Sequence, residues 1–306
     1  MRDDETTDAM RNARLMRQAT YAAVAVAVTL VVIKTVAVYM TGSVALLGTL
    51  FDSLLDGAAS LLNLVAVRHS LTPADHEHRF GHGKAEALAG MGQSIFICAS
   101  AAFVAYEAVI RFLDPHPLGN SFVGIAVTVA ATVITLALVA FQRRVVARTG
   151  SLAIEADSIH YRGDLLMNMS ALAALLLSGV LGLHWADPLG GILIAALIAF
   201  SAAQIALGAY NQLMDRELTD DERERIAAIA LSHPEVVGIH DLRTRTSGTR
   251  AFIQFHLEMD RIISLMKAHL ISDDVEARIL EAFPDAEIII HQDPAGLEEV
   301  AQQERI

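Results

Sequence analysis

Six apolar stretches, each long enough to cross a bilayer, fill most of the first 214 of this chain's 306 residues. A transmembrane helix needs about 20 predominantly apolar residues. Lipid offers backbone N–H and C=O groups no partners, so such stretches must close their hydrogen bonds within a helix. The first runs from about Gln18 to Met40 and is interrupted by Lys34 alone. The second, Gly42 to Val67, contains Asp52 and Asp56. The third follows Glu86 and is uncharged until Glu107, and the fourth, Ser121 to Phe141, has no charge. The fifth starts near Leu152, carries Glu155, Asp157, His160, Arg162 and Asp164 in its first half, and is clean from Leu165 to Leu183. The sixth, Leu189 to Met214, is uncharged.

Composition agrees and excludes other classes. Hydrophobic residues make up 54% and charged residues 19%, against about 25% charged in a typical soluble chain. Mean hydropathy is +0.44. Residues 1–211 carry 13 Lys/Arg against 15 Asp/Glu, whereas residues 212–306 carry 10 against 20. A nearly neutral apolar part is thus joined to a smaller acidic one. No basic stripe is present for nucleic acid. The lone Cys98 excludes a disulfide scaffold or a cysteine zinc motif. The acidic opening Met-Arg-Asp-Asp-Glu does not suit a signal peptide.

Lys/Arg placement orients the spans. Arg2, Arg11, Arg14 and Arg17 precede the first, Arg68, Arg79 and Lys84 lie between the second and third, and Arg143, Arg144 and Arg148 between the fourth and fifth. The opposite loops lack Lys and Arg, apart from Arg111 at one edge. Both termini are therefore expected in the cytoplasm, with residues 1–17 as a tail, 18–214 as a six-helix transmembrane domain and 215–306 as a cytoplasmic domain. In the last, Thr219 and Glu222 form a capping-box candidate that starts a helix. Val236–Thr246 reads as a strand, Ser247-Gly248 as a turn, and Arg250–Asp260 alternates. Ile253, Phe255, Leu257 and Met259 fall on one face of it, with Gln254, His256 and Glu258 on the other. Leu265–Phe283 repeats at helical spacing and Ala286–Gln292 is a β-branched strand. The order αββαβ predicts an open-faced, ferredoxin-like α+β sandwich.

Charges inside a membrane are costly and usually functional. Asp52 and Asp56 are i and i+4 in the second span, and His160 and Asp164 are i and i+4 in the fifth, so each pair shares a helix face. If those faces meet, three carboxylates and one imidazole converge, a set that suits tetrahedral Zn²⁺ and tolerates other divalent transition metals. Asp157 and Glu155 are expected nearer the cytoplasmic end, facing water. A second cluster lies in the loop Pro73–Lys84, where Asp75, His78 and His82 can grip a metal, with His76 as a spare. A third comprises His240, His256, His269, His291 and Asp293 in the acidic domain, spread over three strands and a helix. His69, His116, His184 and His233 read as interfacial or surface residues.

At these positions the chain resembles the cation diffusion facilitator family, and most closely its bacterial zinc/ferrous-iron efflux pumps. The matching segments are Asp52–Asp56, Pro73–Glu86, Ala156–Asp164, His240–Arg245, His256–Met259 and Ile290–Pro294. The resemblance implies a transport site of Asp52, Asp56, His160 and Asp164, and a loop site of Asp75, His78 and His82. It also implies a binuclear cytoplasmic site of His240, His256, His269, His291 and Asp293, the last bridging two metals. Lys84 and Asp215 match the family's charge interlock between membrane and cytoplasmic domains. The family further implies a homodimer in the bacterial inner membrane that exports Zn²⁺, with Cd²⁺ or Fe²⁺ as other substrates, in exchange for protons.

The residues themselves fit antiport, because metal binds only neutral imidazole and so competes with protons. Three oxygens and one nitrogen suit Zn²⁺ and Cd²⁺ and leave Fe²⁺ and Mn²⁺ open. Two other classes are weighed against this reading. A membrane-embedded metallohydrolase needs a general base beside an open metal position, and the His-Glu-x-x-His signature is absent. A passive divalent channel needs ligands weak enough for rapid release.

Overall fold

The computed structural model describes residues 2–42, 44–113, 122–181 and 186–296. His116 and His184 lie outside the described residues, as do most of the loops expected to face away from the cytoplasm. The chain divides into a helical unit, Asp8–Leu213, and a second unit that comprises Met1–Thr7 and Met214–Ile306.

Six long helices form the first unit: α1 (Arg2–Thr41), α2 (Val44–Ser70), α3 (Lys84–Leu113), α4 (Phe122–Thr149), α5 (Leu152–Leu181) and α6 (Ala186–Leu213). Among the described residues, five contain windows long and apolar enough to cross a membrane. The sixth, α5, has its charges gathered in its first half. The most extensive helix pair is α3 with α6, followed by α5 with α6 and α4 with α5. Their outward surfaces carry exposed Leu54, Leu55, Leu61, Leu62 and Val65 on α2, and Leu193, Leu197 and Phe200 on α6, which suits contact with lipid rather than water.

The helices outrun the expected spans. α1 is 40 residues long, about 60 Å at about 1.5 Å per residue, so residues 2–17 of the expected tail are the first part of this helix. Arg143, Arg144 and Arg148 likewise lie on α4, not in a loop. The α4–α5 connection is only Gly150 and Ser151. Gly150 adopts φ 65°, a left-handed conformation in which a side chain is strained. Ser151 follows as the cap of α5, its Oγ accepting from the Ile154 N–H at 3.3 Å. The carboxyl of buried Glu86 on α3 accepts the Ala153 N–H at 3.4 Å, satisfying a free donor in the first turn of α5.

The second unit contains α7 (Asp220–Leu231), β1 (Val236–Ser247), β2 (Arg250–Met259), α8 (Leu265–Ala282) and β3 (Glu287–Pro294). The strand order is β1-β2-β3, with β1–β2 antiparallel and β2–β3 parallel. This is the expected αββαβ sandwich. Thr219 caps α7 in a complete capping box with Glu222, and Ser264 caps α8 by accepting the Lys267 N–H. Ile253, Phe255, Leu257 and Met259 on β2 pack against Ile226 and Ala230 of α7 and Ala268, Ile271, Val275 and Ile279 of α8. Both helices therefore cover one face of the sheet. Phe252 departs from the alternation: it is buried on the other face, with the Arg245 guanidinium 4.5 Å from its ring centre, a cation–π contact.

Candidate metal sites

α2 and α5 pack together, and the two i, i+4 pairs meet there. His160 Nε2 lies 2.9 Å from Asp56 Oδ1 and 3.8 Å from Asp164 Oδ2. One ligand atom from each of these three residues falls within 4.8 Å of the others. The imidazole is buried and held edge-on by Phe96 and Tyr161. Asp52 is not in the close group. It sits one turn before Asp56 on α2, about 6 Å along the axis, and lines the same cavity of about 580 Å³.

Two features of this region escape the spacing argument. Lys34, in sequence only a break in the first span, lines that cavity with Asp52, Asp56, His160 and Asp164. Its Nζ donates to the Thr49 carbonyl at 3.0 Å and to Ser53 Oγ at 2.7 Å. The lone charge in an apolar run was the available signal. Asp157 does not face water as expected; it is 1% exposed. Its carboxylate accepts from Gln93 Nε2 at 3.0 Å, Gln142 Nε2 at 2.6 Å and Ser60 Oγ at 3.4 Å. Ser60 also hydrogen-bonds the Tyr161 hydroxyl at 2.9 Å. One carboxylate thus joins α2, α3, α4 and α5, one helical turn from His160.

The three loop residues come together. Asp75, His78 and His82 bring ligand atoms within 4.8 Å of one another. Asp75 Oδ1 accepts the N–H groups of Glu77 at 2.9 Å and His78 at 2.6 Å, a turn that aims its carboxylate at both rings. The His78 N–H, helped by that of Glu77 and by the two nearby imidazoles, holds the exposed Asp75 carboxyl below the usual range. His82 Nδ1 is buried with no hydrogen-bond partner, an unspent donor atom that fits a bound metal. His76 is exposed and outside the group. His69, expected to stand apart, has its ring 4.6 Å from that of His82.

The cytoplasmic cluster follows from strand register. His240 pairs with His256 across β1–β2, and His256 with His291 across β2–β3, so three imidazoles form a row on the face opposite α7 and α8. Asp293, two residues beyond His291, stays on that face. Its Oδ2 is 2.7 Å from His256 Nδ1 and 3.6 Å from His240 Nε2, and its Oδ1 is 3.2 Å from His291 Nε2. His240, His256 and Asp293 form the close group.

Two further acids stand at its edge. Glu258 accepts from His240 Nδ1 at 3.0 Å, and Asp241 Oδ2 is 3.9 Å from His256 Nε2. Asp241 sits at φ 49° beside the register shift between His240 and Arg243. Glu258 was legible, since it shares the polar face of β2 with His256; Asp241 was not, because a bulge re-aims it. His269 is not brought to the row. It lies on α8, exposed and 3.5 Å from Asp273, while α8 covers the opposite face of the sheet.

Lys84 and Asp215 each have partners within their own units. Lys84 Nζ donates to the Leu213 carbonyl at 3.4 Å, and Asp215 accepts from Arg245 at 3.3 Å.

Comparison with known proteins accords with this architecture. A family model described as the cation efflux transmembrane domain matches residues 20–214, and one described as the cation efflux protein cytoplasmic domain matches residues 218–295. The chain is 47% identical over 287 residues to the cation-efflux pump FieF of Shewanella oneidensis, covering 94% of this chain and 97% of that one. It is 50% identical over 284 residues to FieF of Cronobacter sakazakii, covering 93% and 94%. Among solved structures, the metal-bound C-terminal domain of the CzcD transporter from Thermotoga maritima is 31% identical, covers 26% of this chain and 93% of its own, and gives a TM-score of 0.25.

Proposed function

The chain belongs to the cation efflux family, the cation diffusion facilitators, and on that premise we propose that it exports divalent transition metal, Zn²⁺ first, in exchange for protons. It is a multi-pass membrane transporter and not an enzyme. Its likeness to bacterial cation-efflux pumps supports export from the cytoplasm across the inner membrane, and the cytoplasmic-domain match supports a homodimer.

One observation carries the antiport reading. His160 Nε2 lies between Asp56 Oδ1 and Asp164 Oδ2, at 2.9 and 3.8 Å. That nitrogen either donates a proton to these carboxylates or offers its lone pair to a metal, and cannot do both. Facing the cytoplasm, the site loses protons and takes Zn²⁺ with Asp52, Asp56, His160 and Asp164. Facing the acidic side, protons return to His160 and a carboxylate, and the cation leaves. Alternating exposure then needs only rocking of the helices around a fixed midplane site. Asp75, His78 and His82 would hold a second metal. His240, His256, His291 and Asp293, with its two oxygens turned to different imidazoles, would hold a cytoplasmic pair.

Proteoliposomes with an acid interior are expected to accumulate Zn²⁺, and Asp56→Ala to reduce uptake to the empty-vesicle level. Full uptake by Asp56→Ala would reject the transport site. Unchanged uptake after the proton gradient is collapsed would reject antiport.

A further inference from the structure

His69 is the last histidine of α2, one residue before the helix ends at Ser70. Its ring centre lies 4.6 Å from that of His82, at 62° between the planes. The His78 ring stands in nearly the same relation to His82, at 4.5 Å and 44°. His82 is thus flanked by two imidazoles, only one of which belongs to the loop set. Asp75 ties that set together, with Oδ1 3.4 Å from His78 Nδ1 and Oδ2 3.5 Å from His82 Nε2. At the centre His82 is buried, and its Nδ1 has no partner. An orphaned buried ring nitrogen is costly unless something binds it.

We propose that His69 is a fourth ligand of the loop site, closing it into a structural transition-metal centre that staples the end of α2 to the start of α3. The proposal rests on the reading of Asp75, His78 and His82 as a metal site. Its chemistry differs from that reading in one respect. Three protein ligands leave a position open to water and exchange, whereas four nitrogen or oxygen ligands make a closed tetrahedral site that Zn²⁺ occupies permanently. His69 is exposed on the terminal turn, so its χ1 and χ2 can turn a nitrogen inward without disturbing packed neighbours. Neither His69 nor His76 is in the close group of ligand atoms; His69 adjoins it through its ring contact with His82, and the exposed His76 serves as the control.

The test uses the full-length protein in detergent, with Asp56→Ala, His256→Ala and Asp293→Ala removing the other sites. Co²⁺ is the probe, because its visible spectrum reports tetrahedral coordination. One equivalent is expected to give an intense tetrahedral band. His69→Ala should weaken binding at least tenfold and collapse the band to the weak absorption of a more open, hydrated site. His69→Cys should keep the band and add a thiolate-to-cobalt transition in the near ultraviolet, which His76→Cys should not. Equal binding and an unchanged band in His69→Ala, or no thiolate transition in His69→Cys, would overturn the proposal. His82→Ala separates it from its premise: Co²⁺ binding that survives this change, or is absent from the start, rejects the loop site itself.

Discussion

At the scale of residues, the membrane part is governed by a few polar groups that cannot reach water. His160 was legible because its i, i+4 partner Asp164 sits beside an apolar run, and an ionisable pair within a membrane span needs a reason. His160→Asp replaces the nitrogen ligand with a fourth carboxylate. It should move preference from Zn²⁺ toward oxygen-favouring Mn²⁺, read as the order of initial uptake rates across a metal panel. Asp157 was harder to place, since nothing in its spacing reveals that Gln93 and Gln142 come from other helices to meet it. Asp157→Ala would leave those donors unpaired and buried, at a cost of about 2–4 kcal/mol, measured as reduced thermal stability in detergent. An unchanged melting temperature would mean the network is not stabilising.

Asp75 makes a prediction about pH. Its carboxyl is held low, chiefly by the His78 N–H. For such a depressed group the stabilisation is present above the ordinary carboxylate value of about 3.9 and is lost as pH falls through the lower folded value. The turn at Glu77 and His78 should therefore keep its amide protection from neutral pH down to about 4, and lose it only below. Hydrogen exchange at those two amides, compared between wild type and Asp75→Ala, checks this.

At the scale of elements, polar pattern proved more informative than boundaries. The alternation in β2 identified its core face, and Thr219-Asp-Asp-Glu identified the start of α7, where both halves of the capping box form. Thr219→Ala is expected to destabilise the second unit by about 0.5–2 kcal/mol, read from the urea midpoint of its unfolding. Helix ends were less legible. Positive charge marked the segment around Arg143–Arg148 as exposed, but charge does not break a helix; Gly150 does. The histidine row depended on register, which alternation alone leaves open. Counted from the hairpin, the register that pairs Arg243 with Gln254 would set Asp241 opposite His256, and the shift between His240 and Arg243 sets His240 there instead. His269 shows the converse, because a helix position can satisfy its own periodicity and still face away from a sheet's ligands.

At the scale of the whole molecule, the two units have different logic. The helical unit places its chemistry on facing helices, so most of it could be read from i, i+4 spacing. The sheet unit places its chemistry across strands distant in sequence, so only the residue types were visible beforehand. Metal held on the sheet face would act on the transporter through binding linkage rather than through transport itself. Under that reading, Asp293→Ala should leave the Zn²⁺ maximum rate of uptake within about twofold while raising the cytosolic-side Zn²⁺ needed for half-maximal rate, since a coupling of 1–3 kcal/mol spans roughly 5–150-fold. Equal half-maximal concentrations in the variant and wild type would reduce the cytoplasmic site to a dimer clamp.

The ammonium of Lys34 has one more consequence. With Asp52, Asp56 and Asp164 ionised and the imidazole neutral, the cavity they share with Lys34 holds a net charge of about −2, by counting unit charges. A divalent ion brings that cavity to zero, a monovalent ion leaves it in deficit, and a trivalent ion overfills it. In a low-dielectric surround each leftover unit of charge is heavily penalised. Under the proposed transport reading, the tethered lysine would match the charge of this cavity to a divalent ion before ligand chemistry chooses among ions of that valence.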